Sequence, residues 1–444
     1  MSKYAFLVCL ILLLGRAVAQ NQPFFLPTGA DVYNTYSPTV ETDSQGGIHM
    51  VYPAYIPSDA FYAYCPSDCS SPEQVSVVTF STADDGTVHN TMLALDSQGK
   101  PQVLIATGTT VYYATCTGDC RKESAWTLSK IMNHAGDKEL SGEAFALDPQ
   151  GHPRFVMHSY RAYLGIGAPE PGTFYLSCDT NCHDASSWQE SQISPQIWQE
   201  TTLRISQDGV AHLAMVAEVD TLGQIAGYAE CRSNCHSEEA WPVVGLFYAY
   251  SDRYVEEIDP AISMVLSREG NPRIVTLAKD DDGARFIVYS SCDANCTAED
   301  GSTWQHNSLL DGDVIGDGLD LALDAQDRPR FAYVADYNIF LVYCNESCFD
   351  DSDAGWHLDK VELGSDMPPD MIIPYADCTV AAWFLRQPSL AIGTDGLPKL
   401  AWRAEDISGG GEPDYQKQAW EADCRAGADM TLNRFVALSG YDFN

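Results

Sequence analysis

The chain has 444 residues, 45% of them hydrophobic, and carries 62 acidic against 25 basic side chains, a formal net charge of −37. There is enough apolar material for a large core, and a field of that sign repels nucleic acid and anionic membranes, which excludes both as partners. It suits solubility, a saline or calcium-rich milieu, or a cationic partner.

In chain order, residues 1 to 19 come first. Lys3, an apolar run over 5 to 15, and Ala17-Val18-Ala19 before Gln20 make the three parts of a cleaved export signal. The run is too short to span a bilayer, and no later stretch of 18 apolar residues follows. A soluble chain, secreted or periplasmic, is expected. Cys9 leaves with the leader, and fourteen cysteines remain. An even number in an exported chain reads as disulfides.

From there the sequence repeats. TVETDSQGGIHMVY, LALDSQGKPQVLI, FALDPQGHPRFVM, LRISQDGVAHLAM, MVLSREGNPRIVT, LALDAQDRPRFAY and LAIGTDGLPKLAW are seven copies of one motif, two apolar pieces flanking a polar turn. After each of the first six comes a cysteine pair: YAYCPSDC, YATCTGDC, YLSCDTNC, YAECRSNC, YSSCDANC and VYCNESC. Trp126, Trp188, Trp241, Trp304 and Trp356 follow five of these pairs. Each unit holds four apolar pieces of strand length joined by hairpin signals. A lone four-stranded sheet cannot bury its faces, so the units must stack. The reading is all-β: a single seven-bladed β-propeller over 20–444, with blades near 37–80, 91–133, 142–195, 200–248, 260–310, 318–363 and 387–440. The seventh copy runs on to QAWEADC, ending at Cys424.

The cysteine pairs have three conceivable uses. Haem attachment wants C-x-x-C-H, whereas these spacers hold three residues, and histidine follows only Cys182 and Cys235. Zinc needs four ligands in one tetrahedron, and each hairpin offers two. A disulfide across a tight turn fits, because cysteines four apart can bring their Cα atoms within about 4.4–6.8 Å. The expected bridges are Cys65–Cys69, Cys116–Cys120, Cys178–Cys182, Cys231–Cys235, Cys292–Cys296 and Cys344–Cys348. Cys378 and Cys424 are left to pair with each other. His183 and His236 read as solvated turn residues.

TAEDGSTW, residues 297 to 304, resembles the Asp-box turn of sialidase-like propellers, with Glu299 where that pattern has aspartate. TADDGT, residues 82 to 87, is a shorter echo. The resemblance implies that the box lies between a blade's third and outermost strands, where the cysteine clips would replace it. Sialidase chemistry is a different matter. The family's first arginine falls near the mature start, and here no arginine stands between Arg16 and Arg121.

In a propeller, the loops after second strands and between blades crowd one face, the usual place for a ligand. Here they bring His158, Tyr160, Arg161, Glu218, Asp220, Lys279, Asp336, Tyr337, Arg403 and Glu405, with Asn34, Glu143, Trp198 and Glu200 from the between-blade links. Aromatic faces beside carboxylates and a few cations suit sugars or peptide loops. The expected function is therefore non-catalytic: a secreted, monomeric recognition or scaffold propeller that binds carbohydrate or an extracellular protein. The alternative is a glycoside hydrolase or lyase using paired acids such as Glu218 and Glu405. No catalytic residue is assigned and no cofactor expected, apart from calcium. DGDVIGDGLDL, residues 311 to 321, resembles the acidic loops of integrin-type propellers, which implies Asp313, Asp317 and Asp320 as ligands. NCT at Asn295 and NES at Asn345 are glycosylation sequons.

Overall fold

A computed structural model describes residues 21–28, 34–56, 58–82, 85–134, 138–159, 171–219, 223–248, 262–279, 285–311, 315–349, 355–367, 383–406, 431–439, 441 and 443. Seven four-stranded antiparallel blades surround a central channel. From the channel outward, blade 1 is Thr39–Thr42, Ile48–Ile56, Asp59–Cys65 and Ser76–Ser81. Blades 2 to 6 repeat the plan, beginning at Val88–Leu95, Phe145–Leu147, Trp198–Ile205, Ile262–Leu266 and Ile315–Leu323 and ending at Trp126–Asn133, Gln189–Ser194, Val243–Tyr248, Trp304–Asp311 and Trp356–Glu362.

Blade 7 is assembled from both ends of the chain. Trp383–Ile392, Pro398–Asp406 and Thr431–Ala437 are its inner strands, and Phe24–Phe25 pairs antiparallel with the last of these. The ring therefore closes by backbone hydrogen bonding between its termini. Asn34–Thr35 bridges blades 7 and 1. Cys378 and Cys424, expected to pair with each other, both lie outside the described residues.

All six hairpin disulfides form, with Cα–Cα distances of 5.6–5.8 Å. The following tryptophan completes each clip in blades 2 to 6. Its indole N–H donates to the second cysteine's carbonyl, at 2.8–3.0 Å, in Trp126, Trp188, Trp241, Trp304 and Trp356. Its ring then packs on a tyrosine three residues before the first cysteine of the preceding blade: Tyr62, Tyr113, Tyr175, Tyr228 and Tyr289 in turn, with centroids 4.6–5.7 Å apart. One motif thus staples a hairpin and joins two blades.

The two hairpin histidines are not solvated as expected. His183 Nε2 lies 2.8 Å from the Thr115 hydroxyl and Nδ1 3.0 Å from that of Ser129, and its ring lies against Tyr113. His236 repeats this with Ser177, Ser191 and Tyr175 one blade on. Both are struts between blades, and burial pushes both imidazole pKa values down.

A second repeated device explains the Pro-Arg pairs of blades 3, 5 and 6. Arg154, Arg273 and Arg330 each donate to the first cysteine's carbonyl, at 2.9, 3.3 and 2.6 Å. Each also reaches the residue after that cysteine, Asp179, Asp293 or Asn345. Arginine's planar fork meets two acceptors at once, which lysine's single ammonium could not match.

Candidate functional site: channel and loop face

The innermost strands leave a channel of about 620 Å³. Register places one side chain per blade at the same level of its wall. These are Glu41, Ala94, Ala146, Arg204, Val265, Ala322 and Ala391, paired across to the residue after each turn. Five are small or apolar. Glu41 and Arg204 are the exceptions, and sequence reading passed over both. Aligning the seven copies on this position would have exposed them.

Two residues earlier on each strand comes a level that knits the blades together. The Ser263 hydroxyl accepts the amide of Leu321 at 3.1 Å, Asp320 accepts that of Leu390 at 2.6 Å, and Ser389 accepts that of Val40 at 3.0 Å. Asp320 also receives the hydroxyls of Ser263 at 2.9 Å and Ser389 at 3.2 Å. Its carboxylate is thus committed to the channel wall. Asp313 and the Asp317 side chain lie outside the described residues. Among the described residues, a donor set with metal-like spacing is Asp148, His152 and Asp179, whose ligand atoms lie within 4.8 Å of one another on the hairpin face. The Arg154 guanidinium already binds both carboxylates, at 2.7 and 2.6 Å, and supplies the positive charge there.

Glu143 brings a third carboxylate into the channel and forms an ion pair with Arg204. Burial pushes Glu41 up to about 7, opposed by Arg204 and reinforced by Glu143. Burial, then Glu143, raises Asp320 well above the carboxylate range. Burial and the nearby Glu143 carboxylate thus both favour the neutral forms of Glu41 and Asp320.

The loop face gathers a different set where blades 6, 7 and 1 meet. Arg386, Arg403 and Asn433 are cross-strand neighbours in one row of blade 7. Both guanidinium groups lie 3.6 Å from Glu405. The Arg403 guanidinium lies over the Tyr36 ring at 4.6 Å. Arg386 lies 5.2 Å from Tyr337, whose ring stacks on Phe384 at 3.6 Å and 7°. Tyr337 is 36% exposed, Arg403 only 4%. Four buried polar atoms lack a hydrogen bond here: Gln387 Oε1, Arg403 Nε, Glu405 Oε2 and Asn433 Oδ1. Buried polar atoms are nearly always paired, so such a concentration is a mark of unfinished business. Backbone geometry adds to it, for Asp336, Tyr337 and Gln387 all have positive φ.

Of the expected ligand residues, the structure therefore unites Tyr337, Arg403 and Glu405, and adds Tyr36, Phe384, Arg386 and Asn433. Asp336 sits exposed in the same turn. His158 is elsewhere, buried in blade 3. Tyr160, Arg161, Asp220 and the side chains of Glu218 and Lys279 lie outside the described residues.

No protein-family model matches this chain, and no curated protein matches it. Among solved structures, the NanB sialidase of Streptococcus pneumoniae aligns over 94% of this chain and 71% of its own, at 10% identity and a TM-score of 0.45. A protein of unknown function from Dyadobacter fermentans aligns over 95% and 99%, at 10% identity and 0.45. An ulvan lyase aligns over 73% and 78%, at 11% identity and 0.42. These are likenesses of blade arrangement, and no substrate is carried across from them.

Proposed function

We propose that this is an exported, sialidase-like recognition propeller, released from its leader near Ala19. It binds a carbohydrate on the loop face where blades 6, 7 and 1 meet. The observation that carries the reading is Arg403: buried, under the Tyr36 ring, with Nε lacking a hydrogen bond and a second arginine beside it in the same row. Two guanidinium groups against one Glu405 leave a positive charge in a strongly acidic protein, which favours a ligand bearing a carboxylate or sulfate. The open Tyr337 face offers a platform for a sugar ring. A glycan array tests it. Acidic glycans should be retained by the wild type and lost by Arg403→Met. An array with no retained glycan, or a variant that binds as well as the wild type, ends the reading.

The channel favours a second reading, a carbohydrate-active enzyme, because Glu41, Glu143 and Asp320 line one recess and burial raises the pKa of Glu41 and Asp320 there. A carboxyl group whose pKa is raised by burial is a form that general acid catalysis uses. A hydrolysis and elimination screen run beside the array decides it: released sugar that disappears in Glu143→Gln supports the enzyme, and binding without turnover removes it.

A further inference from the structure

The second strands carry a repeated position just before they reach the loop face. It is occupied by Pro53, Ala106, His158, Val216, Leu277, Val334 and Arg403, each four residues beyond the residue that follows the turn. Five blades fill it with proline or an aliphatic side chain, so the fold itself has no need of an ionisable group there. Arg403 belongs to the site already described. His158 does not.

His158 is 4% exposed and both ring nitrogens are engaged. Nδ1 lies 3.1 Å from the carbonyl of Ser159, which can only accept, so Nδ1 carries the proton. Nε2 is then an acceptor, and it lies 2.9 Å from the hydroxyl of Ser141. A serine donating to an imidazole whose far nitrogen is tethered is the arrangement of an activated nucleophile. The half-buried Ser141 also receives a backbone N–H, that of Glu200, at 3.1 Å.

The backbone around this pair is forced. Glu200 has φ 51°, a left-handed conformation that a glutamate seldom adopts. Gly142, next to Ser141, has φ 67°, and a Cβ there would stand 2.5 Å from the Thr201 carbonyl. Two chain segments thus approach closely, one of them strained at Glu200, at the point where the serine meets the histidine. Strain of this kind gathers at working sites.

We propose that Ser141 and His158 are a nucleophile and general base for hydrolysis of a carboxylic ester at the loop-face end of blade 3. Ser141 Oγ attacks the ester carbonyl carbon and its proton passes to His158 Nε2. The carbon–oxygen bond to the alcohol breaks, and the alcohol leaves with the proton from Nε2. Water then attacks the acyl-serine with the same proton transfers, releasing the acid and restoring Ser141. The site stands apart from blade 7 and does not depend on what binds there.

The test is covalent labelling of the folded, full-length protein with an alkyl fluorophosphonate, beside hydrolysis of p-nitrophenyl acetate. The expected result is one phosphonyl adduct on the peptide holding Ser141. It should be absent in Ser141→Ala, and the labelling rate should fall by about 100-fold in His158→Gln, the range of a lost general base. If the pair is only a strut, the natively folded wild type, checked by near-ultraviolet circular dichroism, takes up no label. That outcome, or an adduct that persists in Ser141→Ala, overturns the proposal.

Discussion

The contacts between blades 1 and 6 and those on either side of blade 7 solve one problem in two ways. Along the first five junctions, each hairpin sends a tryptophan back onto a tyrosine of the preceding blade. Where blades 7 and 1 meet, blade 1's hairpin has no tryptophan, and the Asn21 side chain takes over its hydrogen bond. Its Nδ2 donates to the Cys69 carbonyl at 3.3 Å and to that of Ala437 at 2.9 Å. Between blades 6 and 7 the position three before the first cysteine is Leu341, and the chain's end supplies the aromatics. Phe443 lies 5.0 Å from Tyr343 and 4.3 Å from the Arg330 guanidinium, and Tyr441 bonds Asp359. The repeated motif builds walls, while the junctions next to blade 7 hold a cluster of unpaired buried polar atoms, at Gln387, Arg403, Glu405 and Asn433. A ring of near-identical blades changes its side-chain chemistry where the repeat lapses.

The comparison is broken most severely inside the regular region. Trp188 packs on Tyr113 of one blade and Phe155 of its own while bonding the Cys182 carbonyl. Trp188→Ala should cost about 3 kcal/mol, the lower end of the range for a large aromatic removed from a core, because its ring is partly buried between the blades. Removing the adjoining clip with Cys178→Ala and Cys182→Ala together should cost less, about 2 kcal/mol, because a short loop restrains the unfolded chain only modestly. Denaturant melts would rank the two. A double-cysteine variant weaker than Trp188→Ala would show that sulfur, and not the indole, joins the blades. At the irregular junction, Phe443→Ala forfeits a ring pair and a cation–π contact, for about 1–2 kcal/mol.

Much of the regular region was legible without coordinates, for a physical reason. A strand's period of two and a hairpin's turn chemistry are local, so seven copies of the same pieces could be read as seven blades. The cysteine spacing, with two ligands per hairpin and histidine after only two pairs, fitted a clip better than haem or zinc. What escaped reading was whatever depends on bringing distant residues together. Phe24 and Phe25 complete blade 7 from the far end of the chain, and no local pattern marks them as a strand. The histidines after Cys182 and Cys235 looked like turn residues because their hydroxyl partners lie a blade away. Glu41 and Arg204 stand 163 residues apart and face each other only because the ring closes. Arg403, Glu405 and Tyr337 could be placed on one face from the sequence, since loops after second strands must converge there, but Arg386 and Tyr36, which lie beside them, belong to first strands and links.

A smaller effect separates the channel from both kinds of junction. Glu41 titrates near 7 in the folded protein against an ordinary 4.5. Between those values the native chain binds more protons than the unfolded one, so Glu41's contribution to stability falls as pH rises from about 4.5 to about 7 and is flat above. Asp320 acts in the same direction. Glu41→Gln removes the first of these. Its melting temperature should match the wild type's at pH 4, climb above it through pH 6, and keep a constant lead at pH 8. A difference that shrank with rising pH would mean Arg204 outweighs burial.

The smallest expected change in stability is at Arg403, and that is the point of the comparison. Each wall residue earns its place by packing, so truncating it should weaken the fold. Arg403 is as buried as they are, yet its Nε makes no hydrogen bond and the equivalent positions in five other blades hold proline or aliphatic side chains. Methionine keeps most of the side chain's length under the Tyr36 ring, and Arg386 remains beside Glu405 to balance its charge. Arg403→Met should therefore shift the melting temperature by no more than about 2 °C, less than 1 kcal/mol in a chain of this size. Binding of acidic glycans should nonetheless disappear, because a fixed pair of forks is replaced by one. If the variant melts as early as Trp188→Ala, the arginine is part of the wall after all, and the irregular junction is held by the same packing logic as the others.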